Sequence, residues 1–199
     1  FVEFALADPV YGEGLRAAVI KIGDYLYEKN PLFPVCGYIC GLCEKECNYG
    51  KETGAIRRRL LKRFVSNYYL PYLEGEKAPL PPPSGERVAV VGGGPASLMC
   101  AYMLRKKGYA VSVFERAPRL GGALNLVPRY RLPARVLDTT LAALVRVAQI
   151  EVGFGVNVGD IGHRLEHFER DGYKAVFVGI GARSQRTLTF GDQRVAGST

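Results

Sequence analysis

The sequence has no tryptophan, only two histidines and two methionines, and no apolar run of the length a membrane-spanning helix needs. A helical membrane span is thereby excluded. The two histidines, His163 and His167, stand i,i+4 on an expected helix with no third ligand nearby. They read as a solvated face, not as a metal site. No internal repeat is present, and with 48% hydrophobic and 23% charged residues the composition excludes disorder, collagen and coiled coil. The chain opens Phe1-Val2-Glu3-Phe4, without Met, a basic leader or a small-residue cleavage site. It is read as a cut or processed fragment and not as a secretory signal. A cytoplasmic location is expected.

At 199 residues there is room for one ordinary domain and a small module. Charge is unevenly placed. Residues 1–69 carry ten Lys/Arg against eight Asp/Glu, residues 70–86 carry one against three, and residues 87–199 carry sixteen against eight. The net +8 therefore sits in the second half, where it favours an anionic ligand or a basic solvated surface. Residues 70–86, LPYLEGEKAPLPPPSGE, include three consecutive prolines and read as a stiff connector. Before it, helices are expected over 13–28 and 53–69, with a cysteine-rich loop between them. After it, β-branched and helical patterns predict a strand at 87–91, a helix at 95–107 closed by Gly108, and a strand at 110–114. Helices at 134–148 and 161–170 and a strand at 174–179 follow. The fold class is thus α/β. A small all-helical module (1–69) and a linker (70–86) precede an incomplete doubly wound domain (87–199).

Four of the five cysteines, Cys36, Cys40, Cys43 and Cys47, fall within twelve residues as C-x3-C-x2-C-x3-C. Thiols this close do not pair easily as two unstrained disulfides. Four soft ligands on a loop flanked by Gly37, Gly41 and Gly50 suit an iron–sulfur cluster or zinc. Iron–sulfur is preferred, because zinc knuckles normally have a longer central spacer. Cys100 reads as a small core thiol. Five bases within residues 57–63 read as a solvated or cluster-facing helix side, ahead of a nucleic-acid patch.

Gly92-Gly93-Gly94-Pro95-Ala96-Ser97 follows an expected strand and opens an expected helix. It matches G-x-G-x-x-G except for Ser97. The first glycine permits the tight turn, and the second lets backbone approach a pyrophosphate at the helix N-terminus. Glu115, at the end of the next strand, is placed to accept hydrogen bonds from an adenosine ribose. The loop RAPRLGGALNLVPRYRLP then stands where a plain helix would follow, and it favours a flavin over a nicotinamide.

These residues resemble the glutamate synthase small-subunit family, with relatives in the N-terminal part of dihydropyrimidine dehydrogenase. The resemblance is carried by NPLFPVCGYICGLCEKEC (30–47), LKRFVSNY (61–68), VAVVGGGPAS (88–97), VFERAPRLGGAL (113–124), VPRYRLP (127–133) and AVFVGIGA (175–182). It implies an FAD and [4Fe–4S] electron-transfer subunit that works between NAD(P)H and a partner catalytic subunit of an oxidoreductase complex. It further implies that Cys36, Cys40, Cys43 and Cys47 ligate one or two clusters. FAD would be held by Gly92, Gly94, Pro95, Ala96, Glu115, Arg116, Gly121, Gly122, Leu124, Arg131, Gly181 and Ala182. The chain departs from the family in lacking cysteines upstream of Cys36, in the short step from Cys40 to Cys43, and in Leu126 and Ile180. It also stops before a second, NAD(P)H-binding domain, so that nucleotide is expected to bind only through a domain or chain not present here. No side chain is expected to do acid–base chemistry. The alternative is a non-catalytic docking module with a metal-bound cysteine knot and a degenerate nucleotide scaffold. No nucleic-acid partner and no membrane span are expected.

Overall fold

The near-continuous apolar run Arg87–Val91 forms β1, which lies inside a four-stranded parallel sheet. The computed structural model describes residues 12–52, 54–75, 77–158 and 161–182, with two short paired strands at Thr189–Phe190 and Gln193–Arg194. Five helices precede or flank β1: α1 (Gly12–Lys29), α2 (Phe33–Ile39), α3 (Leu42–Lys45), α4 (Arg58–Gly75) and, after it, α5 (Pro95–Lys106). Then come β2 (Ala110–Glu115), α6 (Ala134–Ala148), β3 (Glu151–Phe154), α7 (Ile161–Arg170) and β4 (Tyr173–Val178). The sheet order is β3-β2-β1-β4, all pairs parallel. Residues buried on both faces, such as Ala89, Val90 and Val113, account for the lack of polar alternation in β1 and β2.

The cysteine segment is helical where a loop is expected. Pro34, with its φ already set, sits in the first turn of α2, and Cys36 lies within that helix. Cys40 caps α2, Cys43 lies in α3, and Cys47 precedes a 3-10 turn at Asn48–Lys51. Gly37 is required for packing, since a Cβ there would come within 2.7 Å of the Arg63 backbone on α4. Helix α4 begins later than expected, at Arg58, after Gly54 has taken a left-handed φ of +93°.

The expected connector is corrected as well. Its first residues, 70–75, are the last turns of α4, which continues past Pro71 because Leu70 and Leu73 are buried in the core. The rest is extended but not loose. Leu80 N–H donates to the Val147 carbonyl (2.7 Å), and the amides of Ser84 and Gly85 donate to the Gly108 carbonyl (3.1 and 2.9 Å). Arg105, almost fully buried, gathers the same region. Its guanidinium donates to the carbonyls of Ala148 (2.6 Å), Pro81 (2.7 Å) and Tyr109 (3.0 Å).

One hydrophobic core runs from Val19 on α1 through Tyr69 and Tyr102 to Ile150, so the helical part and the sheet part pack as a single unit. Aromatic rings bridge them. Tyr27 lies 5.7 Å from Tyr102 and 6.2 Å from Tyr69, and Tyr69 lies 5.5 Å from Phe33 (centroid distances). Tyr69 donates to Asp24 (2.6 Å), which also pairs with Lys77 (2.5 Å). Burial pushes the Tyr102 phenol up to about 12 and likewise raises Tyr27 and Tyr69, the last with help from Asp24. An unfolded phenol titrates near about 10, so these three contribute stability that is complete below that pH. That stability is lost as pH rises through their folded values. Alkaline titration is therefore expected to show three of the twelve tyrosines ionising late and together with loss of near-ultraviolet circular dichroism. Ionisation of all twelve in one early step with the fold intact would contradict the packing.

Candidate functional site

The end of β1 places Gly92 where only glycine fits. Its φ is +98°, and a Cβ would meet the Gly179 carbonyl oxygen at 2.5 Å. The turn is anchored on both sides. Gly92 N–H donates to Phe114 O (2.8 Å) and Gly179 N–H to Val91 O (2.8 Å). Ser97, fully buried on α5, donates from its hydroxyl to Gly179 O (3.2 Å). The serine in the third glycine position thus joins α5 to the end of β4. Gly94 is the N-cap of α5 and has no side chain to cap it, so the first-turn amides remain turned toward an incoming anion.

Glu115 holds the other wall. Its carboxylate accepts from the Gly93 amide (2.5 Å) and the Ala117 amide (2.7 Å). Each oxygen keeps a second lone pair, so the carboxylate can still accept from hydroxyls while it fixes the glycine turn. Between these walls lies a cavity of about 670 Å³, within the roughly 300–1,000 Å³ of small-molecule sites.

Of the residues expected to hold a dinucleotide, Gly92, Gly94, Pro95, Ala96, Glu115, Arg116, Gly122, Gly181 and Ala182 all line this cavity. Three do not. Gly121 is buried beside it and donates its N–H to Gly93 O (2.8 Å). Leu124, in a 3-10 turn at Gly122–Leu126, packs against the core, and Arg131 is exposed. The cavity also has a wall that sequence reasoning missed, Val156–Asn157–Val158, pinned by Val156 N–H to Glu115 O (3.1 Å). These residues follow β3, whose four residues offer too little alternation to be seen. Ile180 lines the cavity too, whereas Leu126 is turned to solvent.

None of the five cysteines is disulfide-bonded. Burial pushes the Cys36 thiol up, opposed by the Lys62 ammonium 3.8 Å away; Cys40 and Cys43 raise it further. Cys47 behaves oppositely. The backbone amide of Ile56, with those of Tyr49 and Gly50 and the nearby Arg58, holds its thiol below the ordinary value. This donor set suits a soft metal in kind. Cys36 lies within interaction range of Cys40 and Cys43, while among the described residues no three Cys, His, Asp or Glu side chains are already gathered as a finished site. Cys100 is half-buried with a raised thiol pKa, as a core cysteine should be. The His163 side chain lies outside the described residues, and His167 is exposed on α7.

The glycine turn at the end of a central parallel strand, the helix N-terminus and the carboxylate at the end of the neighbouring strand define a nucleotide-binding Rossmann-like domain. Residues 90–148 match the NAD(P)-binding Rossmann-like domain family. The chain is a relative of the glutamate synthase small-subunit group of oxidoreductase subunits, as the sequence motifs imply. It is 31% identical to the "Glutamate synthase [NADPH] small chain" of Escherichia coli over 82% of its own length and 35% of that protein. It is 30% identical to the "NADP(+)-dependent formate dehydrogenase subunit beta" of Moorella thermoacetica, covering 92% of the chain and 28% of the relative. To the "NADPH-Fe(3+) oxidoreductase subunit beta" of Geobacter sulfurreducens it is 29% identical, covering 83% and 25%. The chain therefore spans about a quarter to a third of the length of these relatives.

Proposed function

We propose that this chain is the flavin-binding part of an electron-transfer subunit in an oxidoreductase complex, with FAD in the cavity beneath Gly92–Gly94. The observation that carries the reading is the closure of the cavity by Glu115, which fixes the glycine turn and faces the space an adenosine ribose would take. Gly92 and Gly94 bring backbone close to the pyrophosphate position. The α5 N-terminus and Arg116 supply positive potential there. Gly122, Gly181 and Ala182 present little side chain along the cavity and leave room for a flat ring. When bound, FAD would supply the two-electron to one-electron redox chemistry; the chain's own residues bind, orient and enclose it. NADP(H), named in all three of these relatives, is proposed to act through protein outside residues 1–199. The four thiols are proposed as [4Fe–4S] ligands on their residue type and spacing alone. A cytoplasmic location is proposed on the likeness to the oxidoreductase subunits above.

A second reading, a docking module with a degenerate scaffold, is favoured by Ile180, which lines the cavity where the family resemblance leads one to expect threonine. Cofactor analysis separates the two. Protein purified without oxygen and reconstituted with FAD, iron and sulfide is expected to carry one FAD per chain and a low-temperature EPR signal on reduction. Colourless protein that takes up zinc and no flavin would remove the first reading and leave the second.

A further inference from the structure

Helix α4 buries one face in the core and leaves leucines at the surface at its N-terminal end. Val65, Ser66, Tyr69, Leu70 and Leu73 turn inward to the core. On the opposite side Leu60 and Leu61 are 48% and 59% exposed, and Phe64 and Tyr68, half-buried and partly packed against the core, continue the stripe with ring centroids 5.1 Å apart. Positions 60, 64 and 68, with 61 beside them, fall on one stripe of a helix. Helix α3 is tied to the start of this stripe, because Glu44 accepts from the Arg59 amide (2.8 Å), and α3 adds the exposed Leu42.

Cations border the stripe. Residues 57–63 hold five bases and no acid. Lys62 turns inward to Cys36, and Arg63 stacks on the Tyr38 ring at 4.5 Å. Among the described residues none of Arg57, Arg58, Arg59 or Arg63 forms an ion pair. Exposed apolar side chains bordered by an excess of like charge, offset only in part by Glu44 at the Arg59 amide, are unfavourable on both counts for an isolated chain. An acidic partner with an apolar centre would relieve both.

We propose that the outer face of α4 docks an acidic protein surface, and specifically that of a small acidic electron carrier. The acidic character follows from the charges; the electron-carrier part rests on the function proposed above. A second copy of this chain is disfavoured because each carries a net +8. Nucleic acid is disfavoured because phosphates cannot cover the leucines that lie between the arginines.

The test uses the full chain and two purified probes, an acidic [2Fe–2S] ferredoxin and an acidic flavodoxin, with basic cytochrome c as control. Binding to at least one acidic probe is expected, weakening steeply from low to physiological ionic strength. Leu60→Ser with Leu61→Ser is expected to weaken it about tenfold. Arg57→Glu with Arg58→Glu is expected to weaken it by about the same and to flatten the salt dependence. All four side chains are exposed or at a helix start, and circular dichroism checks that the variants are folded. The proposal is overturned if neither acidic probe binds, if cytochrome c binds as well, or if both variants bind like the parent. It is also overturned if the same variants instead abolish self-association or binding to duplex DNA. Flavin and iron are assayed on the same samples. Docking by protein that cannot be loaded with flavin keeps this surface and removes the electron-transfer reading, and loaded protein that does not dock does the reverse.

Discussion

Replacing Glu115 with alanine is expected to lower FAD affinity by about two orders of magnitude while leaving the sheet folded. The carboxylate makes two charge-assisted bonds to backbone, to Gly93 and Ala117, each worth about 1.5–3 kcal/mol. Without them the Gly93 amide is free to reorient, and the turn between β1 and α5 loses the contact that shapes the cavity. The ribose acceptors vanish in the same step. Glu115→Gln should fall between the two, because the amide oxygen can accept one of the backbone bonds and its NH2 group cannot accept the other. Fluorescence quenching of FAD titrated with apoprotein measures both variants. Unchanged affinity in Glu115→Ala would place the flavin elsewhere or nowhere.

The second large effect is structural and lies far from the turn. Arg105→Met is expected to destabilise the chain by about 4 kcal/mol, a fall in Tm of roughly 8–16 °C for a chain of this size. The guanidinium is buried with no carboxylate partner among the described residues, and burial lowers its pKa. It is retained by three carbonyls that no other group satisfies as well: the end of α6 at Ala148, the turn into β2 at Tyr109, and Pro81 in the proline segment. Methionine fills much of the volume but takes the donor from all three carbonyls, of which the Ala148 bond is buried and the Tyr109 and Pro81 bonds are part-buried. Arg105→Lys keeps the charge and three N–H donors, but these radiate from one nitrogen and cannot span the carbonyls that Nε, Nη1 and Nη2 reach separately, so it should recover less than half of the loss. Thermal denaturation followed by circular dichroism decides the matter, and a shift of only a couple of degrees would show that water replaces the side chain.

Much of this arrangement is legible before any coordinates. β1, α6 and α7 are read to the residue, since each has a clear period and a clean stop. The glycine turn and Glu115 are legible because their chemistry fixes their residue types. Elements that escape do so for local reasons. Strand β3 is too short to show alternation, and the Gly and Cys content around Gly37 and Gly41 masks α2 and α3. Pro71 disguises helical turns that Leu70 and Leu73 stabilise by burial. Nothing in the sequence distinguishes Arg105 from Lys106 beside it, because the difference is made by three carbonyls brought together only on folding. The four cysteines are legible as a set, whereas the placement of their sulfurs depends on helix ends that spacing does not specify.

The unbroken core from α1 to Ile150 bears on how such a chain can be recombined. A chimera joined within the proline run would unite half of one packed interior with half of another, and Tyr27 would face a stranger in place of Tyr102. A crossover that keeps α1 through α6 from one parent respects that interior. The unit that can be exchanged between relatives is accordingly larger than the cysteine segment, and it includes the nucleotide cavity.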